Sequence, residues 1–189
     1  MLEGKLVRLR ALEPSDLERN YVWFNDREVT RFLATRYPLS HADEDRWLAR
    51  VGSEENGFAN GVHLAIETKD GRHIGNVGLI DVQAENGRAE LGISIGDKSC
   101  WSNGYGSDAV ITLLRFAFHQ MNLNRVALGT FEFNERAIAC YRKCGFVEEG
   151  RFRQAYFQDG RYWDTVRMAV LREEFEALNG EAQPDIATL

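Results

Sequence analysis

The segment of this sequence best suited to bind an anion is a glycine-bearing turn between a strand and a helix. Residues 91–96 alternate as the end of a strand, and an apolar helix begins near Gly104. The first N–H groups of a helix have no partner inside it and carry the positive end of its dipole. Glycines let the backbone close on an anion, and a diphosphate suits such a site. The same pattern also fits a tight turn without a ligand. The candidate ligands are Trp101, Ser102, Asn103, Gly104, Tyr105, Gly106 and Ser107.

Two other phosphate motifs and a metal site are not indicated. No third glycine follows three residues after Gly106, as the dinucleotide fingerprint requires, and no Gly-Lys-Ser/Thr loop occurs. A nucleotide-hydrolysing enzyme is therefore not expected. The histidines and cysteines show no metal-ligand spacing, so we predict no metal.

A second pair of polar residues lies downstream on a short helix that Gly145 ends. Asn134 stands at the helix start, where its side chain could cap the helix or bind a ligand. Tyr141 follows seven residues later, so the two side chains project on nearly one face.

The two motifs together resemble the GCN5-related N-acetyltransferase (GNAT) superfamily. The nearest branch holds ribosomal-protein N-terminal acetyltransferases and spermidine/spermine N-acetyltransferases. The Gly-x-Gly turn matches that family's pyrophosphate loop, and NERAIACYRKCGF (134–146) matches its N…A…Y…GF motif. The resemblance extends from about residue 6 to about residue 171. This sequence departs from the family at Trp101, often Gln or Arg, and at Asn103, often basic.

The resemblance implies an α/β (α+β) fold with a mixed, mostly antiparallel central sheet flanked by helices. Its fourth and fifth strands, 88–96 and 125–133, would splay apart. The pantetheine arm of acetyl-CoA would lie between them like an added strand. Backbone contacts to that arm would come from Ile93, Ser94 and Ile95. Asn134 would also bind the arm, and Lys143 or Arg142 would lie near the adenosine phosphates.

The implied reaction is direct attack of a primary amine on the thioester of acetyl-CoA, the cosubstrate. Tyr141 is the candidate general acid for the departing thiolate, with simple packing on Phe146 as the alternative. Glu90 is the candidate general base, with substrate binding or a surface ion pair as alternatives, and Glu132 comes second. A CoA-binding sensor or docking module without catalysis is the alternative from another class.

The elements that would position these residues follow from hydrophobic periodicity and turn signals. We predict strands at 6–10, 62–68, 73–82, 88–96, 125–133, 146–158 and 161–171. Helices are predicted from Pro14, over 40–51, over 104–121 and over 134–144. The pattern gives one domain over residues 1–178 and a polar tail over 179–189.

Composition limits the partners. The chain has 189 residues, 44% hydrophobic, with a net charge of −6. This acidic balance disfavours nucleic-acid binding and mildly favours a cationic acceptor. The resemblance implies a protein N-terminus or a polyamine-like molecule as that acceptor, with an aminoglycoside-like or amino-sugar acceptor as a further option. The aromatic-rich stretch between residues 20 and 60 is expected to shape the acceptor pocket. With neither a membrane-length apolar run nor a secretory signal, we expect a cytoplasmic protein, and association of copies stays open.

Overall fold

The computed structural model describes residues 1–51 and 61–180, which form eight strands and six helices. The strands are β1 (Leu2–Glu3), β2 (Val7–Ala11), β3 (Val62–Thr68), β4 (His73–Gln83), β5 (Arg88–Ile95), β6 (Arg125–Phe131), β7 (Val147–Gln158) and β8 (Arg161–Leu171). The helices are α1 (Leu17–Asn25), α2 (Arg27–Thr30), α3 (His41–Val51), α4 (Tyr105–His119), α5 (Glu135–Lys143) and α6 (Arg172–Asn179).

The strands form one sheet in the order β1-β2-β3-β4-β5-β6-β8-β7. Every neighbouring pair is antiparallel except β5 and β6, which are parallel. The prediction of a mixed, mostly antiparallel sheet is confirmed. Strand β1 was not predicted, so the strands predicted as fourth (88–96) and fifth (125–133) are β5 and β6.

The parallel pair β5–β6 is joined at one end only. Pairing is limited to Arg88 with Arg125, Ala89 with Val126 and Glu90 with Ala127. Beyond Glu90 no residue of β5 pairs with a residue of β6, so a gap opens between the carboxyl-terminal halves of the two strands. The predicted splay is confirmed.

Helix α4 connects the two parallel strands and packs on one face of the sheet. A parallel connection needs a crossover, and this helix is apolar enough to serve as one that is largely buried. Leu113 and Leu114 lie in one core cluster with Leu91 of β5 and Leu128 of β6. This hydrophobic layer therefore covers the gap on the face of the sheet where α4 packs.

The one acidic residue in the first turn of α4 holds the N-terminal strand. The Asp108 carboxylate accepts from the backbone N–H groups of Lys5 (3.1 Å), Leu6 (2.7 Å) and Val7 (3.0 Å). This contact fixes α4, and hence its amino-terminal turn, against β2.

Three elements were not predicted, and one of them is α2, which has only four residues. Strand β1 has only two residues, too few for a periodic signal. Helix α6 follows β8 directly and starts with Leu171 N–H donating to Glu174 Oε2 (2.8 Å). It ends at Asn179, close to the predicted domain boundary, and residues 181–189 of the predicted tail lie outside the described residues.

Candidate active site

Two helices begin at the open end of the gap between β5 and β6. The strands pair near their amino ends and diverge toward their carboxyl ends, where β5 leads to α4 and β6 leads to α5. The unpaired N–H groups of both first turns therefore lie near the gap opening. This arrangement can hold an anion at the mouth and an extended chain inside.

The predicted anion-binding turn has the backbone that the motif suggested. Gly104 caps α4 with φ of +86°, a left-handed conformation that glycine adopts without strain. Ser102 also has positive φ (+62°). The N–H groups of Tyr105, Gly106 and Ser107 are the first of α4 and have no partner within the helix. The Ser107 hydroxyl lies 3.2 Å from the Cys140 thiol, so the first turn of α4 contacts the second half of α5.

Trp101 lines the opening on the β5 side. Its indole N–H donates to the carbonyl of Ile95 at the end of β5 (2.7 Å). The Arg136 guanidinium lies over this ring, 4.1 Å from its centroid, and 5.5 Å from the centroid of Phe32. Sequence reasoning missed Arg136, because its contact depends on how α5 approaches the turn. The absence of a basic residue within that turn was the only available hint.

Alternation along β5 decides which backbone groups face the gap. Gly96 N–H donates to Ile74 of β4 (2.9 Å), and Ser94 is paired with Asn76 of the same strand. Because alternate residues direct their backbone groups to opposite edges, Ser94 directs its own to β4. Of the three predicted contact residues, Ile93 and Ile95 therefore face the gap.

Asn134 acts as the cap of α5. Its Oδ1 accepts from Ala137 N–H (3.3 Å), and the side chain is mostly buried. Its Nδ2 has no hydrogen-bond partner among residues 1–51 and 61–180, so the amide can also donate to a ligand. Lys143, at the other end of α5, likewise makes no ion pair with a described residue.

Tyr141 is buried, with 8% of its surface exposed, and its ring centroid lies 5.8 Å from that of Phe146. Its hydroxyl makes no hydrogen bond to any residue that the structure describes. Burial, helped by the adjacent thiols of Cys140 and Cys144, raises the pKa of the phenol above its ordinary value. The hydroxyl therefore keeps its proton at neutral pH and has it available to donate. The packing alternative accounts for the ring and leaves the hydroxyl unexplained.

Glu90 lies where the gap begins, as the last residue of β5 that pairs with β6. Its neighbours Ala89 and Leu91 are buried in the core, so the Glu90 side chain points to the opposite face of the sheet. Its Oε1 accepts from Arg167 Nη2 (2.5 Å), an ion pair that is partly exposed. Oε2 has no partner in the described part of the chain.

The sheet surface beside Glu90 is open. Gly92 lies on the same face, and a Cβ added there would meet no heavy atom of the described residues within 4 Å. An acceptor could therefore reach the gap from this face. Glu132, the second candidate base, instead accepts from Asp164 N–H (2.9 Å) and braces β8.

A cavity of about 520 Å³ lies at the same open end of the gap. Its walls are Glu132, Phe133, Glu135, Arg161, Tyr162 and Trp163. Its two carboxylates outnumber its one cation, Arg161, which lies over the Trp163 ring 3.2 Å from the centroid, so the cavity suits a cationic ligand. Phe133 also meets Phe32, with 6.3 Å between centroids.

The described aromatic residues of the stretch between residues 20 and 60 lie in different places. Within its described part, Phe32 reaches the gap opening. Tyr21 stacks on His41, Trp23 packs on His73, and Trp47 packs on His63. Residues 52–60 lie outside the described residues.

Residues 1–51 and 61–180 contain no group of three or more His, Cys, Asp or Glu side chains arranged to hold a metal ion. None of the helices in these ranges has the length and apolar content that crossing a membrane requires.

Comparison with known proteins gives consistent matches. Residues 7–147 match the family model described as acetyltransferase (GNAT) domain. A spermidine N(1)-acetyltransferase of Escherichia coli K12 is 31% identical over 172 residues, covering 90% of this chain and 89% of the relative. The Bacillus subtilis protein named "Putative ribosomal N-acetyltransferase YdaF" is 30% identical, covering 90% and 93%.

Comparison with solved structures also matches a spermidine N-acetyltransferase. The crystal structure of spermidine N-acetyltransferase from Vibrio cholerae in complex with CoA and spermine superposes with a TM-score of 0.82 at 26% identity. The match covers 91% of this chain and 99% of that one.

Proposed function

Because the chain belongs to the acetyltransferase (GNAT) domain family and is an acetyl-CoA-dependent N-acetyltransferase, we propose that it acetylates a primary amine by direct attack within the β5–β6 gap. The observation that carries this proposal is the strand gap that opens at the starts of α4 and α5. Acetyl-CoA supplies the activated thioester, so the protein needs to supply binding, orientation and proton transfer. A non-catalytic CoA sensor is not expected to keep a buried, unpaired phenol at this position.

The residues around the gap suit the successive parts of acetyl-CoA, from the diphosphate to the pantetheine arm. The amides of Tyr105, Gly106 and Ser107 suit the diphosphate, with Trp101 to Gly104 shaping the turn. Ile93 and Ile95 face the space that suits the amide-rich pantetheine arm, and Asn134 Nδ2 can donate to it. Lys143 makes no ion pair within the described part of the chain and suits the remaining phosphate.

Two side chains are assigned to proton transfer. We assign Tyr141 as the general acid, because its hydroxyl is protonated at neutral pH and has no competing hydrogen-bond partner among the described residues. We assign Glu90 as the general base, since it lies at the start of the gap on the open face of the sheet. Arg167 holds one carboxylate oxygen and leaves the other for the amine or a bridging water.

The acceptor that best fits is a small amine with more than one positive charge. The support is the net charge of −6, the two carboxylates in the cavity beside the gap and the spermidine named in several relatives. A protein N-terminus is the second candidate, supported by the ribosomal relative. The three cysteines are free thiols, which fits a reducing compartment such as the cytoplasm.

The test is a thiol-release assay with acetyl-CoA over polyamines, amino sugars and N-terminal peptides. Tyr141→Phe and Glu90→Gln should each lower kcat about 100-fold for the accepted amine, since general acid or base catalysis typically contributes that much. Both variants should bind CoA as the unchanged protein does.

The pH dependence of turnover distinguishes the general base from the general acid. Loss of a base should be partly offset at high pH, where more acceptor is unprotonated, whereas loss of the acid should not. Undiminished turnover by Tyr141→Phe would remove it from the mechanism. CoA binding without turnover of any amine would favour the sensor.

A further inference from the structure

We propose that Arg136 binds the diphosphate of the cofactor, a role that rests on the proposed placement of CoA at the gap. The turn from Trp101 to Ser107 contains no basic residue, so its backbone amides lack a neighbouring full charge. Arg136 supplies that charge from the first turn of α5.

The position of Arg136 follows from its two ring contacts. The residue belongs to α5, on the β6 side of the opening, whereas Trp101 is bonded to the end of β5. Since its guanidinium lies 4.1 Å from the Trp101 centroid, the side chain spans the opening from one side to the other. An extended ligand entering the gap must pass beside it.

Within residues 1–51 and 61–180, no side chain neutralises the charge of Arg136. No carboxylate of the described residues lies within ion-pair range of its guanidinium, and the side chain makes no hydrogen bond to them. Lys98, the basic residue just before the turn, is already paired with Asp26 (2.8 Å) and Glu28. Arg136 is therefore the cation at this opening that is free for a ligand.

The contact with Trp101 leaves the guanidinium donors available. A guanidinium held over an aromatic ring by a cation–π contact uses none of its N–H groups in a hydrogen bond to that ring's neighbours. Those donors match two phosphate oxygens at once, a geometry that an ammonium group cannot reproduce. Trp101 thus acts as a support for Arg136, which explains why an indole stands where the family often has a polar or basic side chain.

The test is isothermal titration with three ligands of decreasing charge. CoA carries the diphosphate and the 3′-phosphate, dephospho-CoA carries the diphosphate alone, and pantetheine carries neither. Arg136→Gln should weaken CoA and dephospho-CoA by about ten- to a hundredfold, as expected for loss of a charge-assisted contact, and leave pantetheine unchanged. Arg136→Lys should restore only part of the affinity.

Arg115→Gln is the matched control. It removes the same charge from an exposed site ten residues along α4 from Tyr105, about 15 Å away, and should change none of the three affinities. Thermal melts of each variant show whether it is folded.

Four other results would contradict the proposal, each in a different way. An unchanged CoA affinity in Arg136→Gln would overturn the inference, as would an equal loss for pantetheine, which indicates a structural role. A loss with CoA alone would move the contact to the 3′-phosphate and overturn the diphosphate assignment. If the unchanged protein bound CoA no better than pantetheine, the proposed cofactor site itself would fail.

Discussion

At the scale of single residues, Glu44 stands out as a carboxyl without a partner. It lies on α3 with 4% of its surface exposed, and its Oε2 has no hydrogen-bond partner among the described residues. Burial, with a contribution from Asp43, raises the pKa of Glu44 above its ordinary value. Ionising this group in the folded protein therefore costs free energy.

We predict that Glu44→Gln is more stable than the unchanged protein at neutral pH. The carboxyl has a higher pKa folded than unfolded, so its stabilising effect is complete below about pH 4.5 and is lost as the pH rises through the folded pKa. Removing the charge should raise the unfolding free energy, and with it Tm, at pH 7, and should change both less at pH 4. Urea unfolding measured at pH 7 and pH 4 checks this.

The neighbouring Asp45→Asn provides the comparison, because Asp45 is exposed on the same helix. It should change stability little at either pH. An equal or lower stability of Glu44→Gln at pH 7 would contradict the argument.

Sequence reasoning reached those site residues whose roles depend on local spacing. The seven-residue interval from Asn134 to Tyr141 and the glycine turn at 104–106 are properties of one helix and one loop. Arg136 and Arg167 were missed, since each meets its partner from a different element. Such contacts depend on packing, which spacing does not encode.

At the scale of elements, the N-terminal strand depends on Asp108. Its carboxylate accepts three backbone N–H groups from residues about one hundred positions earlier. The local pattern around Asp108 does not indicate these partners, because they lie far away along the chain. The strands themselves were predicted well, because alternation is a local signal.

We predict that Asp108→Ala destabilises the fold by about 1–3 kcal/mol, because three donors lose their acceptor. Asp108→Asn keeps one oxygen and should lie between alanine and the unchanged protein. Urea unfolding of the three proteins checks the order. An Ala variant as stable as its parent would show that these N–H groups bond equally well to water.

At the scale of the whole molecule, net charge should influence the acceptor. With a charge of −6, the protein attracts cations over distances that salt screens. The KM of a polyamine should therefore rise severalfold between about 50 and 500 mM salt, and the KM of a singly charged amine should rise less. Steady-state kinetics at several salt concentrations test this, and an identical rise for both amines would count against electrostatic attraction.

The junction of β5 and β6 has a wider consequence. Only three residue pairs join the two strands, so several backbone groups that a closed sheet would have satisfied are left over. Each such bond contributes on the order of 1 kcal/mol, so the ligand-free fold gives up stability at this place. A cofactor that forms hydrogen bonds with those backbone groups restores that stability, so cofactor binding completes the hydrogen bonding of the sheet.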